Sequence, residues 1–216
     1  MSEFRAIAID GPAASGKSTV ARRLAEDWGM TMVNSGAMYR AVTWEVLRRG
    51  IDPSATGEVI ALLSEVDWGC LVRDGQTVMQ VGDVEPTMKQ LKADEVNGAV
   101  SLIAAIPEVR ELLVQKQREF LTKGDLVMEG RDIGTVVFPD TPYKVFVTAS
   151  EEVRRQRRAA EGAEDAVEER DKLDSQRKAS PLRVAEGAVV VDSSELAIDE
   201  VVAQVKDELI QLGWKE

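Results

Sequence analysis

Gly11-Pro12-Ala13-Ala14-Ser15-Gly16-Lys17-Ser18 is the stretch on which the fold turns. It matches the pattern G-x-x-x-x-G-K-[S/T] in full. Just upstream, residues 4–10 contain the apolar run Ala6-Ile7-Ala8-Ile9, which reads as a buried strand. Just downstream, residues 16–28 set Val20, Leu24 and Trp28 on one helical stripe that Gly29 ends. A glycine-rich turn between strand and helix lets backbone N–H groups point inward around phosphate oxygens. The helix that follows adds the partial positive charge of its N-terminus. A chance turn before a helix is the bland alternative, and the strand-loop-helix context stands against it. In this pattern Lys17 reaches the β- and γ-phosphates of ATP and the Ser18 hydroxyl ligates Mg²⁺. Gly11 to Ser18 and the adjoining Thr19 form the candidate ATP site. The motif by itself specifies a nucleoside triphosphate and not a reaction.

Strands and helices continue to alternate beyond the loop. Residues 30–33 read as a second strand and 37–49 as a second helix closed by Gly50. From about 51 to 105 the pattern changes. Leu71-Val72 and Val78-Met79 flank Asp74-Gly75, a strong hairpin signal, and a helical stretch follows over about 88–105. This region reads as an insert in the βα series. Pro107 starts a helix to about Lys123, with Val109, Leu112, Leu113 and Phe120 as its apolar face. Short strands are expected at 126–128, 143–147 and 188–191, a charged helix at 151–160 and an amphipathic helix at 195–212. Residues 164–178 are charged without apolar periodicity, which suits a solvated or mobile segment. The alternation predicts an α/β protein whose mostly parallel sheet is covered by helices on both faces.

Composition narrows the partners. The 216 residues suffice for one domain with a sizeable core and a small inserted lobe. A net charge of −11 argues against broad nucleic-acid binding, so any phosphate site must be a local cationic cluster. One cysteine, Cys70, excludes an intramolecular disulfide and fits a reducing compartment. No basic start leads into an apolar run, and no apolar stretch approaches the ~20 residues that span a bilayer. A cytoplasmic protein without membrane partners is expected. Histidine is absent, which removes the commonest general base.

Neither an Asn-Lys-x-Asp nor an Asp-x-x-Gly stretch occurs, so the marks of a guanine-nucleotide switch are missing. Arginines recur instead at turns and charged helices: Arg40, Arg110, Arg131, Arg154, Arg155, Arg157, Arg158, Arg170 and Arg177. Arginine binds phosphate through a planar fork that stays charged. Transfer between two anionic nucleotides needs many such cations. A typical surface arginine needs no such role, and the run at 154–158 could simply pair with Glu151 and Glu152.

Three further motifs sharpen the reading. Asn34-Ser35-Gly36-Ala37-Met38-Tyr39-Arg40 follows the second strand. Glu129-Gly130-Arg131-Asp132-Ile133-Gly134-Thr135-Val136-Val137-Phe138-Pro139 follows the third. Arg170-Asp171-x-x-Asp174-x-x-Arg177-x-x-Ser180-Pro181-Leu182 lies in the charged segment. With the phosphate loop, these resemble the bacterial cytidylate kinase family over nearly the whole chain, and Gly-Arg-Asp-Ile-Gly-Thr is the most specific piece.

The resemblance implies the nucleoside monophosphate kinase fold: a five-stranded parallel core, an acceptor-binding insert at about 51–105 and a helical lid at about 154–184. It implies transfer of the γ-phosphoryl of ATP to CMP or dCMP, and a monomer. Arg40, Arg131 and Arg177 would hold the acceptor phosphate, with Ser35 helping to place it. Ser101, Arg110 and Asp132 would read the cytosine ring, and Asp174 with Arg170 would contact the ribose. Arg157 and Arg158 would meet the donor phosphates, and Lys17, Arg131, Arg157 and Arg177 would carry the catalytic charge. Cytosine offers an amine donor and two ring acceptors, which suits a carboxylate beside Arg and Ser; uracil reverses the polarity at two positions.

The chain departs from the family pattern in three places. Asn34 stands where the family usually has Asp, which implies weaker ordering of water around Mg²⁺. Ala14 stands where glycine is common. Lys92 stands about where the family shows arginine and cannot supply the same bidentate fork. A small-metabolite hydroxyl kinase, with Asp10 or Asp132 as base, and an ATP-dependent switch are the alternatives. The Gly-Arg-Asp-Ile-Gly-Thr run and the long insert argue against the first, and the missing guanine motifs and arginine-rich segment against the second.

Overall fold

Ala6 to Asp10 are all buried, so the first strand has apolar neighbours on both faces and pairs on both edges. In the computed structural model, which describes residues 4–160 and 181–215, this strand (β1, Ala6–Asp10) lies between β5 (Leu126–Gly130) and β6 (Lys144–Thr148), parallel to both. Beyond β5 comes β2 (Thr31–Asn34), and beyond β6 comes β7 (Val189–Asp192). These five parallel strands are the expected core.

The sheet nonetheless has seven strands, not five. Its order is β3-β4-β2-β5-β1-β6-β7, where β3 (Trp68–Arg73) and β4 (Gln76–Val81) are antiparallel to each other. The Asp74-Gly75 turn explains the addition. Both residues have positive φ, 49° and 72°, the condition for a tight two-residue hairpin. The Gly75 carbonyl then accepts from Met32 N at 2.8 Å, and Asn34 N donates to Thr77 Oγ1 at 3.3 Å. The hairpin thereby covers an edge of β2 that would otherwise stand open.

Side-chain alternation along β1 splits the core in two. Ile7 and Ile9 face α1 (Lys17–Asp27) and α8 (Ile198–Gln211) through Val20, Leu24, Val202, Val205 and Leu209. Ala6 and Ala8 face the other layer, formed by α2 (Ser35–Arg48), α3 (Thr56–Glu65), α5 (Asp94–Ile103) and α6 (Pro107–Glu119). The helical stretch expected over 88–105 is two helices, α4 (Met88–Leu91) and α5, interrupted at Lys92-Ala93. Helix α3 was not among the expected elements. The charged helix is α7 (Glu151–Ala160), while all of the charged segment at 164–178 and most of the expected lid lie outside the described residues. The crossover from β5 to β6 passes to the other side of β1. Strand order therefore reverses beside β1, and the carboxyl ends of the strands there open a crevice. No described helix is long and apolar enough to cross a membrane.

Cys70 on β3 points at its cross-strand partner, with the thiol donating to Met79 Sδ at 3.2 Å. Burial pushes the thiol up to about 11. Its reaction with a disulfide reagent at pH 7.5 is therefore expected to be about 100-fold slower than that of free cysteine. A rate within threefold of free cysteine would contradict this placement.

Candidate active site

The loop after β1 is shaped by two close constraints. A Cβ at Gly11 would stand 2.0 Å from the Val147 carbonyl, so only glycine lets β1 leave the sheet there. Gly16, at φ 88°, opens α1 in the left-handed region. Ala14 also has a positive φ, 57°, so the alanine that replaces the usual glycine costs about 1 kcal/mol there.

Lys17 is buried, and its Nζ donates to the Pro12 carbonyl at 2.9 Å. Ser18 Oγ donates to Glu129 Oε1 at 2.9 Å. Glu129 is a functional candidate that the sequence reading missed. It lies near the end of β5, in register with Ile9 and Asn34 on the flanking strands. A lone acidic residue after an apolar strand beside the phosphate-loop strand is the signal that could have found it. Ser35 Oγ donates to the Glu129 carbonyl at 2.8 Å, so the second and third motifs meet at this residue.

A cavity of about 370 Å³ opens over the loop. Among the expected residues, Ala13, Ala14, Gly16, Lys17, Ser18 and Thr19 line one side, and Ser35, Arg40, Ser101, Arg131 and Arg158 line the rest. Lys92 and Asn34 line it too. Five guanidinium or ammonium groups, from Lys17, Arg40, Lys92, Arg131 and Arg158, thus gather in one crevice of an acidic protein, where they focus a positive field. Arg40 donates to the Gly36 carbonyl at 3.0 Å and to Asn97 Oδ1 at 3.4 Å, and Asn97 in turn donates to the Lys92 carbonyl at 2.8 Å. Asn34 Oδ1 accepts from Ala37 N at 2.8 Å and caps α2, a role that Asn fills as well as Asp.

Other expected residues stand behind the walls. Gly11, Pro12 and Ser15 are buried and do not line the cavity. Arg110 and Asp132 are an ion pair with side chains only 6% and 7% exposed. Arg110 also donates to the carbonyl of Ala104, a cavity residue, at 3.2 Å, and its guanidinium lies 5.5 Å from the Tyr39 ring. Arg157 grips the outer side of the loop. It donates to the Ala14 carbonyl at 3.4 Å, to Ser193 Oγ at 3.0 Å and to the Ser193 carbonyl at 2.7 Å. Arg154 reaches the Ala13 carbonyl at 3.4 Å. Ser193, near the end of β7, donates to the Ser15 carbonyl at 2.9 Å and is a second residue that the sequence did not reveal. Arg170, Asp174 and Arg177 lie outside the described residues.

Asp10, at the end of β1, is buried. Burial pushes its carboxyl up to about 6, against the opposing pull of the Gly134 and Ile133 N–H groups. Neither Asp10 nor Asp132, the carboxylates offered as base for a hydroxyl-directed kinase, lines the cavity; the carboxylate that does is Glu129, which accepts from Ser18 Oγ. The donor set at Ser18 and Glu129 is all oxygen, which suits a hard divalent cation that keeps several waters and phosphate ligands.

The family model described as cytidylate kinase matches residues 7–211. The chain belongs to the cytidylate kinase family. A cytidylate kinase of Caldanaerobacter subterraneus subsp. tengcongensis is 43% identical over 210 residues, covering 92% of each chain. One from Streptococcus pneumoniae is 44% identical over 215 residues, covering 94% of this chain and 96% of that one. Among solved structures, a gluconokinase from Sinorhizobium meliloti superposes with a TM-score of 0.51 at 16% identity, covering 96% of this chain and 93% of its own. That likeness is one of fold. Within the cytidylate kinase family, the reading of the phosphate loop and of the motif around Arg131 concerns residues that here share one cavity.

Proposed function

We infer that this member of the family moves the γ-phosphoryl of ATP to the phosphate of CMP or dCMP, giving CDP or dCDP and ADP. The observation that carries the reading is the single cavity joining the phosphate loop to Arg40, Arg131 and Ser101. An oxygen of the acceptor phosphate attacks the γ-phosphorus in line, and the bond to the bridging oxygen of ADP breaks. The acceptor is already ionised at neutral pH, so no protein base is needed, which fits the lack of histidine.

Lys17, Arg131 and Arg158 neutralise charge on the transferring group, and Arg40 with Ser35 holds the acceptor phosphate. Ser101, on the wall, and the Arg110–Asp132 pair behind it read the cytosine ring. Arg157 fixes the loop from outside, through the Ala14 carbonyl and Ser193. Arg177 joins the acceptor-phosphate set, and Asp174 with Arg170 the ribose. Ser18 and Glu129 would hold Mg²⁺, which supplies charge neutralisation between the β- and γ-phosphates. The region 51–105 acts as the acceptor-binding insert and about 154–184 as the lid. The protein works as a cytoplasmic monomer.

The test is ADP formation from MgATP with CMP, dCMP, UMP, AMP, GMP and shikimate offered separately. Strong turnover with CMP and dCMP and weak turnover with UMP is expected. Turnover with another acceptor would overturn the base assignment, and turnover with none would favour the switch alternative.

A further inference from the structure

Asp10 takes no part in the transfer just described, yet it is held by two bonds across the fold. It ends β1 immediately before the phosphate loop and is 3% exposed. One carboxylate oxygen accepts from Ile133 N and the other from Gly134 N, both at 2.8 Å. Those are the first two N–H groups of a π-helical turn, Ile133–Val137, that begins directly after Asp132. The leading N–H groups of a helical turn have no partner within it and need an outside acceptor. Single π-turns cluster at functional sites. Here the acceptor comes from the strand that carries the phosphate loop.

The segment 130–134 is thus fixed at both ends. Gly130 is in register with Asp10 in the sheet, and a Cβ there would meet Ser35 Oγ at 2.5 Å. Gly134 is wedged on its far side, where a Cβ would meet the Lys144 side chain and Ala185 at 3.3 Å. Between these anchors lie Arg131, on the cavity, and Asp132, paired with Arg110. Both oxygens of one carboxylate are needed to hold two adjacent N–H groups at once, and a shift of the turn moves Asp132 directly.

We propose that Asp10 is a specificity-determining positioning residue: by holding Ile133 and Gly134 it sets where the Asp132–Arg110 pair presents itself to the acceptor base, and so locks the base reader to the strand of the donor loop. The inference rests on the reading of the site as one for cytidine monophosphates.

Asp10→Asn preserves shape but turns one acceptor into an NH₂ that faces an N–H. Steady-state kinetics with CMP and UMP at saturating MgATP, and with varied ATP at saturating CMP, give the readout. The CMP-over-UMP ratio of kcat/KM is expected to fall about 10-fold or more, because an ill-placed polar reader loses discrimination first. The KM for ATP is expected to change less than about threefold. Gly134→Ala, which crowds the turn from the Lys144 side with Asp10 intact, should lower the same ratio. A folded Asp10→Asn protein that keeps the wild-type ratio overturns the proposal, as does an equal loss on both acceptors with a raised KM for ATP. If Asp10→Asn does not fold, an unchanged ratio in Gly134→Ala overturns it. A wild-type enzyme that does not prefer CMP to UMP overturns the parent reading, whereas a wild-type preference retained in the variants overturns only the role of Asp10.

Discussion

Lys17→Ala is expected to lower kcat by about 10³-fold or more while the chain stays folded. Phosphoryl transfer asks a protein for position and charge, and little else. Lys17 supplies both: its ammonium is buried at the mouth of α1, where the field of a charge is least screened by water. The structural cost is small by comparison. Loss of the bond to Pro12 costs about 1 kcal/mol, partly offset because an ammonium no longer has to be kept from water. For a chain of this size that shifts Tm by about 2–4 °C. Lys17→Arg should not restore activity, since a flat fork cannot occupy the place of a compact point charge between Pro12 and Gly16. ADP formation and a thermal melt on the same preparations decide the matter. A folded alanine variant retaining a tenth of wild-type turnover would remove Lys17 from the chemistry.

Asp132→Ala should be the most damaging change for stability among the site residues, at about 3–5 kcal/mol. It leaves Arg110 buried with its charge uncompensated, while the bond to the Ala104 carbonyl neutralises nothing. Replacing both partners by apolar residues of similar size, as in Arg110→Met/Asp132→Leu, should recover most of that loss, because no buried charge remains. The double variant should still fail to use CMP well. Urea unfolding and acceptor kinetics together separate the two roles. A double variant as unstable as the single one would show that the pair is not the source of the loss. One that kept the wild-type preference for CMP over UMP would show that the pair does not read the base.

The parts of this fold that were legible in the sequence are those set by neighbours in the chain. Ala6-Ile7-Ala8-Ile9 announced a central strand because every residue is apolar, and Gly11 to Ser18 announced the loop because its backbone needs glycine at fixed places. Asp74-Gly75 announced a hairpin, but not that the hairpin would extend the sheet. That depends on Met32 N meeting the Gly75 carbonyl, a contact that no local pattern encodes. The π-turn was hidden for the same reason. Ile133-Gly134-Thr135-Val136-Val137 has the composition of a strand, and the acceptor that caps its first N–H groups lies at Asp10. Glu129 went unnoticed because only strand register brings it to Ser18. Arg157 and Arg158 look alike in sequence, yet successive residues of a helix point about 100° apart: one holds the Ala14 carbonyl and Ser193 and the other lines the cavity.

The placement of β1 also governs how the chain is made. Ala6 pairs with Leu126 and Ala8 with Lys144, so β1 leaves the ribosome well before either of its sheet neighbours. At about 5–20 residues per second, it waits on the order of ten seconds. Throughout that interval Ile7 and Ile9 lack Val127 and Val145, and an unpaired apolar strand is a ready target for a holding chaperone. Since the phosphate loop hangs from this strand, nucleotide capture by a growing chain is expected only after β6 has emerged, when both edges of β1 can pair.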